Sequence, residues 1–176
     1  MKAKIRALIV LSILCICLAL VYIFLPDGKP AATGNIGSNT DNPVVITDIP
    51  VSELLAIAIS NSNGAFGILN NPDGITFVSD KAGSFSVSQM RAAAYTACHL
   101  PGIRDLKIIP EAQDIANSLS RFSLILTGGR EQNFYILRKS PATDDYLLFS
   151  EERQTVFLVS PADAEWFLQG AEDFME

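Results

Sequence analysis

His99 is the only histidine in the chain, and Cys98 stands beside it. Any mechanism needing an imidazole must use this residue, and the pair is the obvious place to look for a nucleophile and its base. Neighbours on a helix point about 100° apart, however, so the two do not face each other, and no acid is placed to orient the imidazole. The sequence predicts a buried thiol at Cys98, because free cysteine behaves as a small hydrophobe, and a structural or surface role for His99. A tetrahedral zinc site takes three or four Cys or His ligands, and the chain beyond residue 25 holds two. Asp144-Asp145 and Glu151-Glu152 offer carboxylates for calcium, but neither pair sits in an alternating acidic loop with a glycine at the bend. They read as solvated hairpin ends. Gly128-Gly129-Arg130 lacks the Gly-Lys-Ser/Thr and the following helix of a phosphate loop, so it reads as a turn. No Gly-x-Ser-x-Gly elbow occurs. No catalytic, cofactor-binding or metal-ligating residue is assigned, and no cofactor is expected. Trp166, the sole tryptophan, is expected in the core beside Phe167; if exposed it would mark a partner surface.

The elements that would hold these residues divide the chain in three. Ala7 to Leu25 is a run of 19 residues without a charged side chain, preceded by Lys2, Lys4 and Arg6. As a helix it would cover roughly 28 Å, close to the hydrocarbon thickness of a bilayer. The cations before it place the N-terminus inside and the remainder outside the cytoplasmic membrane. A cleaved signal peptide is the rival reading, but the run is long for one and Pro30-Ala31-Ala32 is a poor cleavage site. The expectation is a single-pass anchor at 1–25. Residues 26–43, PDGKPAATGNIGSNTDNP, cannot form a core and read as a flexible tether spanning on the order of 25 Å. Residues 44–176 are left for one extracytoplasmic domain.

The first six residues hold three of the 13 cations and no acid, so the rest carries 10 Lys+Arg against 19 Asp+Glu, a balance of −9. An acidic domain argues against nucleic acid as a partner. With one cysteine beyond the apolar run, no intrachain disulfide can hold the domain, and its core must.

Leu54 to Ser60 alternates, with Leu55, Ile57 and Ile59 expected on one face. Asn61 to Gly64 is a turn, Ala65 to Asn70 the return strand, Asn71-Pro72-Asp73-Gly74 a second turn, and Ile75 to Ser79 a third strand. Ser86 and Gln89 form a capping-box pattern opening a helix whose face is Val87, Met90, Ala94 and Ala97 or Cys98, ended by Pro101-Gly102 after Leu100. A short strand near Ile103–Ile109 and a short helix from Glu111, with Ile115, Ala116 and Leu119 inward, follow. Phe122 to Thr127, Asn133 to Arg138, Tyr146 to Ser150 and Thr155 to Val159 read as strands. Ser160-Pro161-Ala162-Asp163 opens a last helix with Ala164, Phe167, Leu168 and Ala171 inward. A strand meander followed by a capped helix thus occurs twice. The predicted class is α+β: antiparallel sheet with helices on one face, in two related units.

The order of these pieces resembles a bacterial family of membrane-anchored proteins catalogued as domain of unknown function 4340. The likeness is carried by Val51-Ser52-Glu53-Leu54, Ala58-Ile59-Ser60-Asn61, Gly64-Ala65-Phe66-Gly67-Ile68 and Pro72-Asp73-Gly74-Ile75. Farther on, Ser123 to Gly129, Tyr146-Leu147-Leu148-Phe149 and Val156-Phe157-Leu158-Val159 continue it. Members often carry a tryptophan where this chain has Phe77, and a Gly-Leu-Asp-x-Pro-like stretch where it has Pro110 to Leu119. The resemblance implies an accessory role beside an ABC-type export transporter and carries over no catalytic residue. Residues and resemblance together predict a non-enzymatic interaction module with a protein partner in the membrane or envelope. A small-molecule or envelope-polymer binding module is the alternative, and an unrecognised hydrolase a third reading.

Overall fold

The computed structural model describes residues 43–176. The anchor expected at 1–25, and all but the last residue of the expected tether, lie outside them. Among the described residues no helix is long and apolar enough to cross a membrane.

The fold is α+β, mostly antiparallel sheet with few helices. In chain order the strands are β1 (Val44–Val45), β2 (Leu54–Asn61), β3 (Gly64–Asn71), β4 (Gly74–Val78), β5 (Pro101–Gly102), β6 (Arg104–Asp105), β7 (Ser120–Leu126), β8 (Glu131–Lys139), β9 (Tyr146–Ser150) and β10 (Thr155–Val159). Helices α1 (Val87–Cys98), α2 (Ala112–Ala116) and α3 (Pro161–Leu168) interrupt them. The main sheet has eight strands in the order β4-β3-β2-β7-β8-β9-β10-β6, and β1 pairs with β5 apart from it. Two meanders therefore run outward from one seam, where β2 lies antiparallel to β7 with Ile57 opposite Leu124 and Ile59 opposite Phe122.

Tight turns set the first meander. Asn61 opposite Gly64 and Asn71 opposite Gly74 leave two-residue loops. Gly64 and Gly74 close them at φ of 127° and 136°, a region that side-chain-bearing residues rarely enter. The seam face is the core: Ile57, Ile59, Ile68, Phe122, Leu124, Phe134, Leu148 and Phe157 are buried with α1 and α3 laid over them. Small residues Ala93, Ala94 and Ala97 bring α1 close, and Phe167 of α3 stacks on Phe122 at 3.9 Å between ring centroids. A second, smaller cluster of Leu137, Phe149 and Val156 lies on the other face, packed by Leu106, Ile115, Tyr135 and Leu147. The helices are thus not all on one face. α1 and α3 share the core face, whereas α2 packs through Ile115 behind the second meander.

Several local expectations change. Leu55 is 45% exposed, because a bulge between Leu54 and Ala56 takes it out of the alternation and leaves Ala56 buried instead. The capping box of α1 does not form. Its partner for Gln89 would be the Ser86 N–H, and that group donates to Phe174 O (2.7 Å) to hold the C-terminal segment. Helix α1 ends at Cys98, two residues before Leu100, with Val87 exposed. Pro101-Gly102 is not merely a stop but pairs with β1. The stretch 103–109 is a strand only at Arg104–Asp105, since Lys107 turns at φ 54°. Ala116 and Leu119 face solvent; α2 buries Ile115 only in part. The hairpin of Tyr146–Ser150 with Thr155–Val159, and the Ser160 cap accepting from the Asp163 N–H, are as expected.

Candidate functional site

Alternation along a strand puts every second side chain on the face away from the core. On β2 these are Ala58 and Ser60; on β3, Ala65 and Gly67; on β4, Val78; on β7, Arg121 and Ser123. Register lines them up across the sheet. One row runs Val78, Gly67, Ala58, Ser123, Asn133, and the next runs Ala65, Ser60, Arg121, Tyr135. Five of these positions, Gly67, Ala58, Ser123, Ala65 and Ser60, are Gly, Ala or Ser, so this half of the face is recessed between taller neighbours. The result is an open groove of about 650 Å³ with Ser79 and Asp80 on one bank and Arg121 on the other. Behind the second meander the same face is filled by α2 and Leu106. The groove exists because nothing from this chain's described residues covers the first.

Arg121 is the charged group of the floor. Its guanidinium lies 5.5 Å from the Tyr135 ring centroid and 3.5 Å from Asn133 Oδ1, which also accepts from the Ser123 hydroxyl. Among the described residues it makes no ion pair. Arg121 and Ser60 also line a second groove of about 630 Å³ at the strand ends, with Ser118, Leu119, Tyr146 and Leu168. A cation with no ion pair among the described residues therefore stands where two concavities meet.

The residues singled out by type do not converge. Cys98 is fully buried, and burial pushes its thiol up to about 11, away from nucleophilic use. The His99 ring stacks on Tyr95 at 4.5 Å, with Nδ1 3.2 Å from Tyr95 O. Asp144-Asp145 precedes β9, Glu151-Glu152 turns between β9 and β10, and all but half-buried Asp145 are exposed. Among the described residues no three His, Cys, Asp or Glu gather as metal ligands would. Gly128 and Gly129 turn at φ of 77° and 75°, and Arg130 beside them pairs with Glu53. Trp166 is half-buried against the core, tilted over Phe174. Asp105 is held below the usual carboxylate range by the Thr155 hydroxyl and the Lys107 N–H, a turn contact distant from either groove.

Arg121, Ser60, Ser123 and Asn133 carry no signature in sequence, being ordinary outward positions of strands. Their grouping depends on β2 meeting β7, and no local pattern announces that pairing. Comparison with family models, with curated proteins and with solved structures found no match in any of the three.

Proposed function

We propose that the chain is a non-enzymatic interaction module, tethered by its N-terminal apolar run to the outer side of the cytoplasmic membrane, that docks a membrane or envelope protein on the uncovered half of its sheet. The observation that carries this reading is the recessed face of Ala58, Ser60, Ala65 and Gly67, flanked by Val78 and lying opposite the core. Such a face suits an apposed surface rather than an enclosed substrate, since the groove is open and its floor is strand. Asp80 is the one carboxylate lining the groove between Val78 and Arg121, which weighs against a hydrolase built on paired acids there. The apolar run after three cations supports the tether, and the family resemblance points to an ABC-type exporter as the kind of partner. In the same reading the two meanders are diverged copies of one unit, and the second has gained a cover on the face that the first uses for docking.

The test is a crosslinked pull-down of the full-length chain from its native membranes, compared with Ala58→Trp, which fills the groove floor. A co-purifying membrane or envelope protein that falls at least about tenfold with Ala58→Trp is the expected result. The same proteins recovered equally with both forms would remove the docking face from the account. Arg121, a cation without an acid partner, favours a second reading in which an anionic envelope polymer lies along the groove. Arg121→Ala would then abolish polymer binding while leaving protein capture intact.

A further inference from the structure

The groove at the strand ends is lined by donors. Register sets Ser60 of β2 directly opposite Arg121 of β7. Ser62 from the β2–β3 turn, Ser118 ahead of β7 and Tyr146 at the start of β9 add three more hydroxyls. None of these four hydroxyls has a hydrogen-bond partner among the described residues. The one amide in the lining, Asn61, is spent: its Nδ2 donates to Phe167 O and Gln169 O, and its Oδ1 accepts from the Asn63 N–H.

Charge points the same way. Beyond residue 6 the chain carries 19 acids against 10 cations, yet this concavity is lined by Arg121 and by no carboxylate. Lys139 brings a second cation close, its Nζ 5.4 Å from the Tyr146 ring centroid. The open carbonyls at the end of α3 would oppose an anion here. They are already taken, Phe167 O by Ser120 and Asn61, Leu168 O by Asn63 and Gln169 O by Asn61.

We propose that this groove binds a sugar or polyol phosphate, with the phosphoryl group on Arg121 and Ser60 and the hydroxylated body on Ser62, Ser118 and Tyr146. A phosphoryl group presents three strong acceptor oxygens to donors arriving from several sides, and a guanidinium meets two of them as a fork. A carboxylate offers two oxygens in one plane and would leave more of these donors unmatched. At about 630 Å³ the groove is far larger than the phosphoryl group, so the ligand has a body. Serine and tyrosine hydroxyls both donate and accept, as sugar hydroxyls do, while Leu119 and Leu168 wall the groove against the C–H face of a ring. The phosphate ester is chemistry shared by a free sugar phosphate and a lipid headgroup. The site does not depend on what docks in the larger groove, although Arg121 lines both.

The test is calorimetric titration of the full-length chain, in micelles of an uncharged detergent, with glucose 6-phosphate and with glucose. Glucose 6-phosphate is expected to bind at least about tenfold more tightly than glucose, and Arg121→Gln to remove at least about tenfold of its affinity with an unchanged circular dichroism spectrum. Arg121→Lys, which keeps the charge but not the fork, is expected to fall between the two. Ser62→Ala with Ser118→Ala should weaken glucose 6-phosphate and leave the fold intact. Ala58→Trp, which fills the other groove, should change protein capture and leave this affinity as it is. Displacement of glucose 6-phosphate by phosphatidylglycerol added to the micelles would assign the ester to a lipid headgroup, and no displacement would assign it to a free sugar phosphate. Failure of glucose 6-phosphate to bind, equal binding of glucose, or full affinity in Arg121→Gln would each overturn the proposal. Loss of binding in Ala58→Trp would overturn it too, by moving the ligand to the larger groove.

Discussion

At the scale of single residues, the chain keeps its reactive side chains out of play. Cys98 sits on the inner face of α1 among Met90, Ala94 and Leu100, where a thiolate would be stranded away from water. Its behaviour follows from linkage. The folded thiol ionises near 11 against an ordinary 9.0, so burial contributes stability that is fully present below about 9 and is lost as pH rises toward 11. Near neutral pH, maleimide labelling of Cys98 in the Cys15→Ser, Cys17→Ser background should therefore be undetectable in the folded protein and should rise in step with unfolding in denaturant. Labelling of the native protein at the rate of a free thiol would contradict this placement. That burial was legible in the sequence, because Cys98 falls on the apolar side of a helical repeat. The position of Arg121 where two grooves meet was not, since nothing around it differs from any charged residue on an outward strand position.

At the scale of elements, what the sequence reveals is what local chemistry decides. The two Gly-closed hairpins and the Ser160 cap depend on residues within four positions of each other, and they appear where the pattern puts them. Expectations failed where a distant segment competed for a backbone group or a face. Phe174 takes the Ser86 N–H that a capping box would use, and the bulge at Leu55 reverses the alternation that would have buried it. Asn70 marks that bulge from the neighbouring strand, its Nδ2 donating to Val51 O and Leu54 O at 3.0 Å each. The same device closes α3. Asn61 Nδ2 donates to Phe167 O at 3.2 Å and Gln169 O at 2.8 Å, Asn63 Nδ2 to Leu168 O, and Ser120 Oγ to Phe167 O. These bonds satisfy the carbonyls that a helix leaves open at its C-terminus. Asn61→Ala removes two of them, and the expected loss is about 1–2 kcal/mol of unfolding free energy, read as a lower urea midpoint with unchanged slope. Asn63→Ala, at an exposed bond, should cost less. An equal effect would mean that the cap acts through the hairpin turn rather than through α3.

At the scale of the molecule, the proposed function rests on an asymmetry. Both meanders leave the β2–β7 seam, yet only the second carries a cover over its outer face, made from the chain between α1 and β7. The sequence pattern announces two similar halves, but not that one would be covered and the other open. Coverage depends on where residues 103–119 travel after β5, and their composition reads equally well as strand, helix or loop. The small side chains at Ala58, Ala65 and Gly67 look like weak strand formers when read singly; side by side they make the recessed floor on which the proposed docking rests. The most direct measurement is photocrosslinking in native membranes from a benzophenone side chain introduced at Ala58 of the full-length chain, with Glu152 as the control position. The account predicts a discrete adduct to one membrane or envelope protein from position 58 and none from 152. Adducts that are absent from position 58, or that match those from 152, would contradict the claim that the uncovered half of the sheet is where this protein meets its partner.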